Sequence, residues 1–83
     1  MDFFDTLKEK INKNIHSEEI TIIDNTHLHT KHKFFDSEKF HLKLIIKSKK
    51  LKNMNKIDAH KEVYAILKNE MIKKIHALEI EIQ

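Results

Sequence analysis

A chain of 83 residues that contains neither glycine nor proline has few ways to turn. Glycine takes positive φ at no steric cost, and proline presets φ for a turn. Without glycine the backbone cannot build the loops that cradle phosphates in P-loop and dinucleotide-binding proteins, so both function classes are excluded. Turns fall to Asn, Asp, Ser and Lys. Asn53 and Asn55 are expected to serve as turn residues, because Asn tolerates the left-handed conformation best after glycine.

Cysteine is also absent, and seven histidines are present. The chain has no disulfide, no thiol nucleophile and no thiolate of its own for an iron–sulfur cluster. Histidine is then its metal-ligating side chain. His27, His29 and His32 lie within six residues, and His60 and His76 stand in the C-terminal half. The length suits one small domain over residues 1–83. Packing or self-association must stabilise it, so a monomer or weak homodimer is expected. The acidic opening MDFFDTLKEK is not a secretory signal, and no run approaches the ~20 apolar residues of a membrane span. A cytoplasmic location and no membrane contact are the expectation.

The net charge of +3 is mildly basic, and all 16 cationic side chains are Lys. Lys neutralises phosphate as a point charge but lacks the fork that reads guanine. DNA contact is therefore possible, without a sign of base-specific readout. Such contact would fall on the run that holds Lys49, Lys50 and Lys52. A solvated connection is the plainer reading of the same run.

Periodicity predicts a helix over 2–15, with Phe3, Phe4, Leu7, Ile11 and Ile15 at three- and four-residue spacing. The β-branched stretch 18–24 predicts a strand. Residues 25–37 show no period and predict a loop. Residues 38–47 alternate, with Phe40, Leu42, Leu44 and Ile46 on one face and His41, Lys43 and Lys47 on the other. Residues 48–56 predict a basic connection with a helical turn around Leu51. A helix over 57–72 follows, through Ile57, His60, Val63, Tyr64, Leu67 and Met71. Residues 74–82 predict a last strand. The short link between the first two strands implies an antiparallel pair, and the long helix before the third allows a crossover. The expected fold is α+β, a two-layer sandwich in the order α-β-β-(short α)-α-β, with helices on one face of a three-stranded mixed sheet.

Four pieces of the chain together resemble the BolA family. Asp24-Asn25-Thr26 followed by His29 is similar to its acid-x-Ser/Thr-x-x-His loop. Phe40 matches the Phe of its second strand, and Ala59-His60-Lys61 with Val63-Tyr64 resembles its Arg-His-Arg-x-Val-Tyr helix. Ile75-His76-Ala77-Leu78 resembles its Val/Ile-His-Ala-Leu strand. The chain departs from the family pattern at Ala59 and Lys61, at Asn53 in place of a Gly, and at Lys39 in place of a His.

The resemblance implies a sheet and helices similar to the type II KH arrangement. It also implies a non-enzymatic adaptor or transcription regulator of the stress-response kind, active in iron–sulfur trafficking or iron sensing. The implied partner is a monothiol glutaredoxin. The complex would share a [2Fe–2S] cluster held by glutaredoxin thiolate, glutathione and histidine of this chain. The family's ligand histidine falls on His76 and its variable loop ligand on His29, with His27 and His32 as neighbouring alternatives. His60 and Tyr64 take structural roles.

The residues themselves leave a second reading for His76. It has the parity of Leu78, Ile80 and Ile82, which would make it a core histidine. His29 could equally be a solvated loop residue, and Phe34 and Phe35 an apolar anchor. A three-His zinc site has no carboxylate or ordered helix to fix its geometry. His16 and His41 carry no motif and are expected to be exposed. The KH-like fold also implies DNA-binding regulation as an alternative, although no GxxG clamp can exist here.

Overall fold

The computed structural model describes residues 2–26 and 39–83. The order is α1 (Phe3–Asn14), β1 (Glu19–Asp24), β2 (Phe40–Lys47), α2 (Lys49–Lys52), α3 (Lys56–Ile66), α4 (Lys68–Lys73) and β3 (Ile75–Ile82). The sheet order is β1-β2-β3, with β1 antiparallel to β2 and β2 parallel to β3. This is the mixed α+β architecture that the alternation and crossover length imply.

The core lies between the helices and the face of β2 that carries Leu42, Leu44 and Ile46. Leu7 and Ile11 of α1, Leu51 of α2, and Ala59 and Val63 of α3 bury against it, as do Ile75 and Ile80 of β3. Phe3 and Phe4 close one end, each with its ring centroid 5.4 Å from that of Phe40. That packing ties the start of β2 to the first turn of α1.

Side-chain caps do the work that glycine does elsewhere. Asp2 caps α1 by accepting from the Asp5 N–H at 2.8 Å. Ser48 caps α2, and its hydroxyl also donates to the His16 carbonyl at 3.2 Å. Asn55 caps α3 from the Asp58 N–H at 2.9 Å. Asn53 lies in the turn between α2 and α3 and Asn55 caps the helix that follows, but neither takes the left-handed conformation. Asn53 has φ −83° and Asn55 has φ −68°. No described residue has positive φ.

The helix expected over 57–72 bends at Leu67, where ψ rises to 16°. The stripe Ala59, Val63, Leu67 is fully buried at four-residue spacing, but α4 beyond it has no buried residue. The bend comes where the apolar stripe runs out. It aims Glu70 at Lys10 of α1, 2.8 Å away. Ile57, expected on the apolar face, is 70% exposed because it lies off that stripe. No helix among the described residues is long and apolar enough to cross a membrane.

Candidate functional site

His76 lies at the start of β3, at a register shift in the parallel pair. Phe40 pairs with Ile75, but the next residue, His41, pairs with Ala77. β3 thus holds one more residue than β2 at this point, and that residue is His76. A bulge re-aims side chains and breaks alternation. Ile75 is buried at 1% exposure and Ile80 is buried, with Leu78 and Ile82 half-buried, while His76 is exposed. The core-histidine reading of His76 fails for this reason. Simple parity would bury residue 76, and the bulge buries residue 75 instead.

His41 departs from expectation in the opposite sense, being buried at 8% exposure. Alternation sets it on the outer face with Lys43, as expected. Its ring lies beside His76, with centroids 4.9 Å apart and planes tilted by 31°. A cross-strand neighbour displaced by a bulge is a register effect, and no pattern local to residue 41 could reveal it.

The backbone around His41 is fixed by the Asp24-Asn25-Thr26 segment. The Asp24 carboxylate accepts from the Thr26 N–H at 3.0 Å and from the Thr26 hydroxyl. The Thr26 Oγ1 accepts from the His41 N–H at 3.2 Å, and the Asn25 N–H donates to the His41 carbonyl at 2.8 Å. An Asx-type turn of this kind lets a side chain take over the hydrogen bonding of the strand end. On the β3 side, the Phe40 N–H donates to the Lys74 carbonyl at 2.8 Å. Asn25, Thr26 and Phe40 therefore lie at the end of the sheet where β3 begins. His27, His29, His32, Phe34 and Phe35 lie outside the described residues.

The outer face continues with Lys43, whose ammonium is 3.4 Å from both Glu79 and Glu81. Hydrogen bonding to Glu79 and then Glu81, together with their charges, raises the Lys43 pKa above its ordinary value. Glu81 is held below the ordinary carboxylate value by Gln83 and then by Lys43. A depression of about 240 Å³ beside the histidine pair is lined by Asn25, His41, Ala77 and Glu79, among others.

The remaining candidates lie apart from this corner. His60 is half-buried on α3 and lines a separate groove of about 360 Å³ with Leu51, Met54 and Ile80. The Tyr64 hydroxyl donates to the Leu78 carbonyl at 2.8 Å. Of the basic run, Lys49 and Lys52 are exposed, while Lys50 is engaged by Glu62 at 2.7 Å. His16 is exposed, as expected.

Among the described residues, no three His, Cys, Asp or Glu side chains gather to hold a metal ion. The described corner presents one exposed imidazole backed by a buried one.

The fold and this corner define a small α+β protein with a histidine at the bulged start of its last strand. The sequence profile described as BolA-like protein matches residues 11–83, and the chain belongs to that family. It is 30% identical over 76 residues to the DNA-binding transcriptional regulator BolA of Haemophilus influenzae, covering 92% of this chain and 71% of that one. Its fold is similar to the solved structure of BolA1 from Arabidopsis thaliana, with a TM-score of 0.82 and 29% identity over 99% of this chain and 90% of that one. It is also similar to the BolA domain of SufE1 from Arabidopsis thaliana, with a TM-score of 0.82 and 25% identity over 100% of this chain and 93% of that one.

Proposed function

We propose that this protein is an adaptor or regulator that docks a monothiol glutaredoxin and supplies imidazole to a shared [2Fe–2S] cluster. His76 is the ligand, and His29 of the 27–38 segment is the second participant, with His27 and His32 as alternatives. The carrying observation is the bulge, which turns His76 out of the core at the end of the sheet where β2 begins at Phe40. The cluster supplies the redox and transfer chemistry. This chain's part is to present a neutral imidazole, bind the partner and leave the thiolates to it. Imidazole in place of thiolate raises a cluster's potential and makes the bond sensitive to acid.

Co-expression with a monothiol glutaredoxin, followed by co-purification in the presence of glutathione, tests the reading. A heterocomplex with a visible CD spectrum distinct from that of the glutaredoxin alone is expected. His76→Ala should return the spectrum towards that of the glutaredoxin, and His29→Ala should alter it less. An unchanged His76→Ala spectrum refutes the ligand assignment.

A second reading, DNA-binding regulation, is supported by the name of the Haemophilus influenzae relative and by exposed Lys49 and Lys52 on α2. It requires DNA affinity that falls with salt and with neutralisation of Lys49, Lys50 and Lys52. Absence of binding at low salt removes it.

A further inference from the structure

His41 sits on the central strand with its main chain held on both sides, by Thr26 through its N–H and by Asn25 through its carbonyl. Its ring is buried and its position is set by the sheet. His76 differs on each count: it is the extra residue of a bulge, and its side chain is exposed. The ring contact with His41 is the one aromatic contact of His76 among the described residues. A centroid separation of 4.9 Å with tilted planes falls in the range favoured by aromatic pairs.

An exposed imidazole on a strand samples several rotamers, and a ring packed on a fixed surface samples fewer. Restricting the ligand before the partner arrives lowers the ordering cost of binding. We propose that His41 is a positioning residue of this site, whose buried ring is the platform that sets the direction in which His76 presents its imidazole. The proposal rests on the reading of His76 as a ligand and deepens it. It assigns a role to a side chain outside the four motif segments. The platform acts through its flat ring surface, so a phenyl ring serves in its place and an aliphatic side chain does not.

The test compares His41→Ala, His41→Leu, His41→Phe and His76→Ala, each checked for fold by far-UV CD and urea midpoint. Each is reconstituted with a monothiol glutaredoxin, glutathione and a [2Fe–2S] cluster. Visible CD and the rate of cluster loss to a chelator are read, and the His76 ring signals are followed by NMR in the free chain. His41→Ala and His41→Leu should speed cluster loss by about tenfold or more, the usual consequence of removing a residue that orients a ligand. Both should shift the His76 ring signals, and His41→Phe should stay close to wild type in cluster loss. His41→Leu carries the comparison if the alanine variant does not fold. Wild-type behaviour of both His41→Ala and His41→Leu overturns the proposal. So does a phenylalanine variant as impaired as they are, since that outcome assigns the role to a ring nitrogen. If His76→Ala itself leaves the spectrum unchanged, the ligand reading falls and the proposal falls with it. A changed His76→Ala spectrum beside unchanged His41 variants overturns the proposal alone.

Discussion

The Tyr64 hydroxyl of α3 donates to the main-chain carbonyl of Leu78 on β3 at 2.8 Å, two residues beyond His76. The bond spans the two layers and fixes β3 just after its bulge. Tyr64→Phe keeps the ring and removes the bond, so it should cost about 1 kcal/mol in urea unfolding, the usual net worth of one such bond. The phenylalanine variant should also raise amide exchange along the first residues of β3. Equal exchange in both proteins would show that the bond does not hold this strand.

Thr26 contributes to the site through the main chain of His41. Thr26→Val preserves shape and removes the acceptor that the His41 N–H uses. That amide should exchange about fivefold faster, equivalent to ~1 kcal/mol of lost protection. Amides in the middle of β2 should change little. Native-state hydrogen exchange followed by NMR makes the comparison.

Ser48 is buried at 1% exposure and joins three segments: its hydroxyl caps α2 and donates to the carbonyl of His16, and its N–H donates to the Gln83 carbonyl at 3.2 Å. Ser48→Ala removes a cap and leaves the His16 carbonyl without this donor. A loss of about 1–2 kcal/mol is expected from urea unfolding.

Glu70 gives the fold an acid-sensitive contact. Burial pushes its carboxyl up, but the hydrogen bond from Lys10, the bond to its own backbone N–H and the charges of Lys10 and Lys73 together hold it below the ordinary 4.5. A carboxylate with a lowered folded value stabilises the protein above its unfolded value and loses that contribution as pH falls through the folded one. The stability difference between wild type and Glu70→Gln should therefore be constant from neutral pH to about 5 and should shrink below pH 4.5. Urea unfolding at stepped pH measures it. A difference that persists unchanged at pH 3 would contradict the assignment.

Much of the fold was legible because burial follows period. Phe3, Leu7 and Ile11 mark α1, and the alternation of Leu42, Leu44 and Ile46 marks β2. The bend at Leu67 was less visible, since Met71 continues the helical spacing and only its incomplete burial shows that the stripe has ended. The site was half legible. The Ile-His-Ala-Leu motif draws attention to His76, but its exposure depends on a bulge, and a bulge is a relation between two strands. His41 was missed for the same reason. Its own strand pattern correctly sets it facing outward, yet the ring it packs beside belongs to a residue 35 positions away. Asp24 and Thr26 stand out as a motif in the sequence, but what they hold, the His41 N–H, is visible only in the chain of hydrogen bonds.

The most direct measurement is pulsed EPR on the reduced heterocomplex, formed from this chain labelled with 15N-histidine and an unlabelled monothiol glutaredoxin. Strong 15N hyperfine coupling to the [2Fe–2S] centre is expected, and its loss in His76→Ala would identify the ligand. A centre without histidine nitrogen coupling, or one whose coupling survives His76→Ala unchanged, would contradict the assignment of His76.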